Sequence, residues 1–302
     1  MIAARTAGAA IAAGVGLTVI YTALISSADA ITKMFAASYA APQLFALSGG
    51  IVALLSVLVN RAGPSPRGVG TRCPRAMAVR SVATVLGAGA FFYAFRLLPF
   101  AEVFLFIAMI PLFTALLSGP VLGEAVRPQA WGALTLGMIG LLCLAPGGFE
   151  SFGAGHAVAL AAVLLGTVSM MASRYIGMRD GNLLAQVFWP NLALAAVSAC
   201  ALPFVWAPMG AADLGWAVLY AGLLFGARWV LVAAFKMLPA YVITPLMNLQ
   251  FLWMVVIGAA VFGEVPGAAI YLGAALVITA GAWLIYDQAY PGAAGRKVVP
   301  AE

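Results

Sequence analysis

Polar positions in this chain are sparse, and they break long apolar runs at intervals that suit a membrane helix. A bilayer core of ~30 Å takes roughly 20 apolar residues of helix. Runs of that length predict spans near residues 11–34, 42–60, 78–98, 100–119 and 128–145, and again near 156–173, 183–205, 214–238, 240–262 and 266–286. The first run is long and leads directly into the second, which reads as a span and not as a cleavable leader. The expected fold is an all-α integral membrane protein with ten transmembrane helices.

One stretch occurs twice. Ala94-Phe95-Arg96-Leu97-Leu98-Pro99 runs on to Leu122-Gly123-Glu124, and Ala234-Phe235-Lys236-Met237-Leu238-Pro239 runs on to Phe262-Gly263-Glu264. The copies are 140 residues apart, as Glu124 and Glu264 show. A self-match at fixed spacing is evidence of internal duplication. It divides the chain into a first repeat at residues 1–146, a second at 155–287 and a tail at 288–302, with a cation-free junction between the repeats. Five spans per repeat is an odd number, which inverts the second repeat in the membrane. Two inverted five-helix repeats are a transporter architecture.

Charge sets the expected orientation. The connection at residues 61–80 carries Arg61, Arg67, Arg72, Arg75 and Arg80 and no acid. Arg174, Arg179, Lys236, Arg296 and Lys297 fall on the same side, while Lys33 and Arg96 fall opposite. Cations gather on the cytoplasmic side, so both termini are expected in the cytoplasm and the protein in the inner membrane.

Composition narrows the function. The chain is 65% hydrophobic and 8% charged, with a mean hydropathy of +1.08. A soluble domain is about 25% charged. The net charge of +6 belongs to membrane orientation, because the basic connection lacks the interleaved aromatics that stack on nucleic acid. No nucleic-acid partner is expected, and lipid is the outer solvent. Cys73, Cys143 and Cys200 are too far apart for a metal set, and there is a single histidine, His156. No metal, cofactor or enzymatic activity is expected, and no phosphate-binding loop points to direct ATP drive.

Ionisable residues inside spans face cavities or partners. Arg228 is the first candidate substrate contact, either for an anionic group or for a structural acid. Trp189, Asn191, Asn248, Tyr93 and Gln250 are further candidates, with lipid anchoring and interhelical bonding as the alternatives. Asp29, Lys33 and Glu102 are candidates for a polar or coupling pathway. Asp29 and Lys33 stand at i,i+4 in the order that favours a helical ion pair. Glu124 and Glu264 are expected to complement helix N-termini.

Several of these segments resemble the EamA family of the drug/metabolite transporter superfamily. They are Phe92 to Val103, Pro111-Leu112-Phe113, Leu122-Gly123-Glu124 and Trp131, then Phe235 to Tyr241, Pro245, Phe262-Gly263-Glu264 and Pro266. Asp29-Ala30-Ile31-Thr32-Lys33 also resembles the family. The resemblance implies a ten-helix bundle moving a small metabolite, such as an amino-acid-like compound, usually outward. Ser48, Asn248 and Arg228 depart from the family pattern, where an arginine, a tyrosine and a neutral residue are common. Uptake of a nucleoside-like or vitamin-like compound, or a non-transporting partner subunit, are the competing expectations. A homodimer is left open.

Overall fold

The structure is a computed structural model. It describes residues 2–62, 68–98, 103, 106–107, 109–123, 131–132, 135–136, 139, 153–239, 242–243, 246–263, 275–276, 279 and 283. Side chains are described from residue 11 onward, except those of Pro111 and Leu112. Among the described residues every regular element is helical. The helices are α1 (Ile2–Ser38), α2 (Ala41–Ala62), α3 (Pro74–Leu97), α4 (Ile110–Leu117), α5 (Ala154–Gly177), α6 (Leu183–Val205), α7 (Ala211–Met237) and α8 (Gln250–Phe262). A π turn at Ser118–Leu122 extends α4, and a 3-10 turn at Met247–Leu249 leads into α8. Six helices are long and apolar enough to cross a membrane. The spans expected at residues 128–145 and 266–286, together with Glu102, Glu124 and Glu264, lie largely or wholly outside the described residues.

Local chemistry accounts for where helices stop. Leu98 and Leu238 both end in extended conformation, at φ −122°, ψ 151° and φ −128°, ψ 148°. Each precedes a proline, which disfavours helical geometry in the residue before it. Each also donates its backbone N–H to a matching carbonyl, Ala94 at 2.9 Å and Ala234 at 3.0 Å. Gly123 and Gly263 close the next segments at φ 70° and 66°, a left-handed cap that glycine adopts without a Cβ penalty. Pro111 falls in the first turn of α4, where its missing N–H costs nothing; helical residues at 106–107 and a turn at Met109 precede it, so the expected 100–119 span is interrupted at that point. Pro190 and Pro203 lie inside a continuous α6.

The packing repeats itself across the bundle. α1 lies along α7, and α5 lies along α3. α2 crosses α6, α8 packs on α1 and α4 packs on α5. The close approaches recur at corresponding places, within one residue of the 140-residue spacing. A Cβ on Gly14 would come within 2.7 Å of Leu238, and one on Gly155 within 2.8 Å of Leu98. Farther along the same interfaces, Gly226 faces Leu24 at 3.5 Å and Gly87 faces Leu165 at 3.3 Å. Small residues let these backbones approach. Gly222, one turn before Gly226 on α7, has nothing within 4 Å of where its Cβ would sit, so of these two glycines only Gly226 packs.

Helix direction follows from the ends that meet. The start of α1 packs at the end of α7. The end of α7 also meets the end of α5, through Arg174 to the Phe235 carbonyl and Lys236 Nζ to the Gly181 carbonyl at 2.9 Å. α1 and α5 therefore run in opposite directions. Asp180, just after α5, takes hydrogen bonds from Thr71 Oγ1 at 2.9 Å and the Arg72 N–H at 2.8 Å, just before α3. Arg72, Arg75, Arg174, Arg179 and Lys236 consequently share one end of the bundle. At the other end, Tyr39 donates to Asp213 at 2.7 Å, and Gln43 Nε2 donates to the Ala207 carbonyl at 2.7 Å.

Candidate functional site

A cavity of about 170 Å³ lies between α1, α3, α5, α7 and the turn leading into α8, with Phe45 of α2 on its wall. Spacing along the helices explains which side chains reach it. On α1, Tyr21, Ile25, Asp29 and Thr32 recur three or four residues apart, which is one face of a helix. On α7, Tyr220, Leu224 and Arg228 do the same, and all of these residues line the cavity. Phe45, Phe91, Phe92 and Phe95 form an aromatic wall.

The polar side is built across helices. Gln250 Nε2 donates to Asp29 Oδ2 at 2.7 Å, and Ser26 Oγ donates to the Gln250 carbonyl at 3.3 Å. Nearby, Trp253 Nε1 donates to Thr22 Oγ1 at 3.2 Å. Thr32 Oγ1 donates to the Ala28 carbonyl at 3.1 Å and lines the cavity together with Tyr220 of α7. Tyr21 and Tyr220 each lie within electrostatic reach of both Asp29 and Arg228. Asp29 and Arg228 thus act on the same two phenols without pairing with each other. Among the described residues no carboxylate pairs with Arg228.

Of the candidates singled out from the sequence, Arg228, Asn248, Gln250 and Asp29 line this one cavity. The other candidates sit elsewhere, each for a physical reason. Tyr93 follows the fully buried Phe92, and one helical residue rotates a side chain by about 100°; Tyr93 is 47% exposed. Trp189 Nε1 donates to the Val69 carbonyl at 2.7 Å, anchoring the loop before α3. Asn191 is buried where α2 crosses α6, its carbonyl oxygen 2.8 Å from where a Gly49 Cβ would sit, and its Nδ2 donates back to the Val187 carbonyl at 2.7 Å. Lys33 leaves the cavity face and holds its Nζ 4.6 Å above the Phe262 ring. Asp29 takes its hydrogen bond from Gln250, not from Lys33 one turn along. Glu102 lies outside the described residues.

One polar residue of the site, Tyr220, is not singled out from the sequence. Its signal is position: it is two turns before Arg228, and extending that charge along its own helical face finds it.

No family model and no curated protein matches the chain. Solved structures do, with 29 chains matching. One crystal structure superposes with a TM-score of 0.70 at 23% sequence identity, covering 91% of this chain and 98% of that one. The chain shares its fold with that protein over nearly its whole length.

Proposed function

We propose that the chain is a secondary transporter of the EamA type, moving a small amino-acid-like metabolite outward across the cytoplasmic membrane by alternating access. The observation that carries this reading is the cavity. It holds Asp29 and Arg228 inside a bundle whose outer surface is apolar. A charge at the centre of a membrane helix costs roughly 2.5–3.5 kcal/mol on insertion scales, so these residues need a purpose that offsets it. An aromatic wall beside fixed polar groups suits a small ligand with an apolar body.

The mechanism rests on repetition. Ten helices in two inverted halves place two similar packings on either side of one cavity. The paired contacts Gly14–Leu238 and Gly155–Leu98, and the opposed directions of α1 and α5, support that arrangement. Alternating access is then a rocking of one half against the other around the ligand. The end bearing Arg72, Arg174, Arg179 and Lys236 is cytoplasmic on this reading, since cations accumulate there. The Asp180 and Tyr39 bonds are the ties that must break in turn at the two ends.

A thermal-shift screen of the purified protein, followed by counterflow in vesicles, tests the proposal. The library holds amino acids, nucleosides, vitamins and organic anions. A compound that raises the unfolding midpoint of the wild type, fails to do so in Arg228→Gln and exchanges across the vesicle membrane supports it. A stabilising compound that never crosses the membrane refutes transport and favours a partner-subunit role.

A further inference from the structure

Arg80 is a buried cation that the cavity does not use. Its sequence position, at the edge of the arginine-rich connection, reads as a loop charge. The structure places it in the second turn of α3, 7% exposed. Its Nε donates to the Gln186 carbonyl at 3.3 Å, and its Nη1 to the Ser169 carbonyl at 3.3 Å. The first acceptor has a local cause. Pro190 has no N–H, so the carbonyl four residues before it, that of Gln186, is left without its helical partner.

Both acceptors are neutral. A guanidinium has five N–H donors, so further donors and the full charge remain. Among the described residues no carboxylate pairs with Arg80, and the guanidinium of Arg228 is close enough to repel it. Beside Arg80, the Ser173 hydroxyl donates to Gln186 Oε1 at 2.9 Å. That bond orients the amide and leaves Gln186 Nε2 fully buried with no acceptor among the described residues. A charged donor set and an unused buried amide donor lie on the same helix junction, with nothing negative described to meet them.

The junction points toward the cavity. Arg80, Thr84 and Ala88 recur every fourth residue on one face of α3, and Ala88 lines the cavity. That is about 12 Å along the helix axis at 1.5 Å per residue. On α5, Ser173 and Ser169 lead to Met170 and Gly166, which also line it. Thr84 Oγ1 and Ser169 Oγ meet at 2.8 Å between the two places. The Thr84–Ser169 pair thus lies between Arg80 and Ala88 along this interface.

Building on the transport reading above, we propose that Arg80 and Gln186 form an anion-binding site on the route from the cation-rich end of the bundle to the cavity. The ligand carries a carboxylate or phosphate group, which Arg80 receives first and Arg228 holds afterwards. Such a group also occurs on anionic lipids; the ligand inferred here is a free solute, because the route ends at a small cavity between the helices with aromatic walls.

The test uses the full chain in a neutral detergent, with benzoate and phenyl phosphate as probes and benzyl alcohol as the uncharged control. Either anion should raise the unfolding midpoint more than benzyl alcohol does. In Arg80→Gln the concentration for half the effect should rise about tenfold, the loss of one charge-assisted contact. Gln186→Leu removes the unused amide donor and, with it, the acceptor of the buried Ser173 hydroxyl, so the ligand-free midpoint should fall by the cost of one buried hydrogen bond while the anion response, read against that midpoint, weakens. This second variant keeps the test decisive if Arg80→Gln does not fold. Wild-type anion responses in Gln186→Leu and in any folded Arg80→Gln, or no response of the wild type to either anion, overturn the site. So does a midpoint rise that requires added phosphatidylglycerol and is absent with both probes. An Arg80-dependent response without exchange of the probe across phosphatidylcholine vesicles supports the site and removes the transport reading instead.

Discussion

Gln250 holds Asp29: the amide Nε2 donates to the carboxylate Oδ2 at 2.7 Å, across the interface between α8 and α1. Lys33 is four residues from Asp29 on the same helix, yet the hydrogen bond comes from a residue 221 positions away in sequence. The consequence is a carboxylate held in place inside the cavity without being neutralised by a neighbouring cation.

Removing that amide should be costly. Gln250→Leu leaves the half-buried Asp29 without its donor, and a hydrogen bond to a charged group contributes about 1.5–3 kcal/mol. The unfolding midpoint of the purified variant should fall, and Asp29→Asn placed on top should restore part of the loss by removing the charge. An unchanged midpoint in Gln250→Leu would show that the bond contributes nothing.

The matched glycine contacts make a paired prediction. Leucine at Gly14 or at Gly155 must displace Leu238 or Leu98, and overpacking costs about 1–3 kcal/mol. Both variants should lower thermal stability by similar amounts, whereas Gly222→Ala, in open space, should be neutral or slightly stabilising. Unequal losses at Gly14 and Gly155 would argue against equivalent packing in the two halves.

Acid should loosen one end of the bundle first. Partial burial raises the Asp180 carboxyl, but bonds from the Arg72 and Asn182 N–H groups and from Thr71 outweigh it and hold the group below the usual carboxylate range. A depressed folded value means the stabilisation is fully present above the unfolded value, about 3.9. It is lost as pH falls through the lower folded value. Midpoints measured from pH 7 down to pH 3 should therefore drop more steeply for the wild type than for Asp180→Asn. Parallel curves would contradict this.

Orientation is directly testable. In a cysteine-free background, a cysteine at Val69 should react with a membrane-impermeant maleimide only after cells are broken, and one at Pro208 should react in intact cells. The reverse pattern would invert the topology and place Arg80 at the external end.

Much of this fold was legible in the chain because lipid leaves little choice. Every backbone polar group in a bilayer must be satisfied within its own segment, so an apolar run of sufficient length becomes a helix. The expected 183–205 span coincides with α6, and the Leu-Pro and Gly-Glu repeats correspond to matching helix ends at Leu98, Leu238, Gly123 and Gly263. These are local effects of proline, glycine and hydropathy, and local effects are written in sequence. What only the tertiary structure decided is which polar groups share a space. Asn191 and Asn248 are the same residue type, each inside an apolar segment. One is buried where two helices cross and the other lines the cavity. Arg80 and Arg228 differ in the other direction: one reads as a loop cation and the other as a span cation, yet both lie inside the bundle, Arg228 lining the cavity and Arg80 on the α3 face that leads to it. Helical periodicity gives the angle of a side chain around its own helix, but it does not say which neighbour that angle faces. That depends on contacts between residues far apart in sequence, such as Gly14 with Leu238 and Gln250 with Asp29.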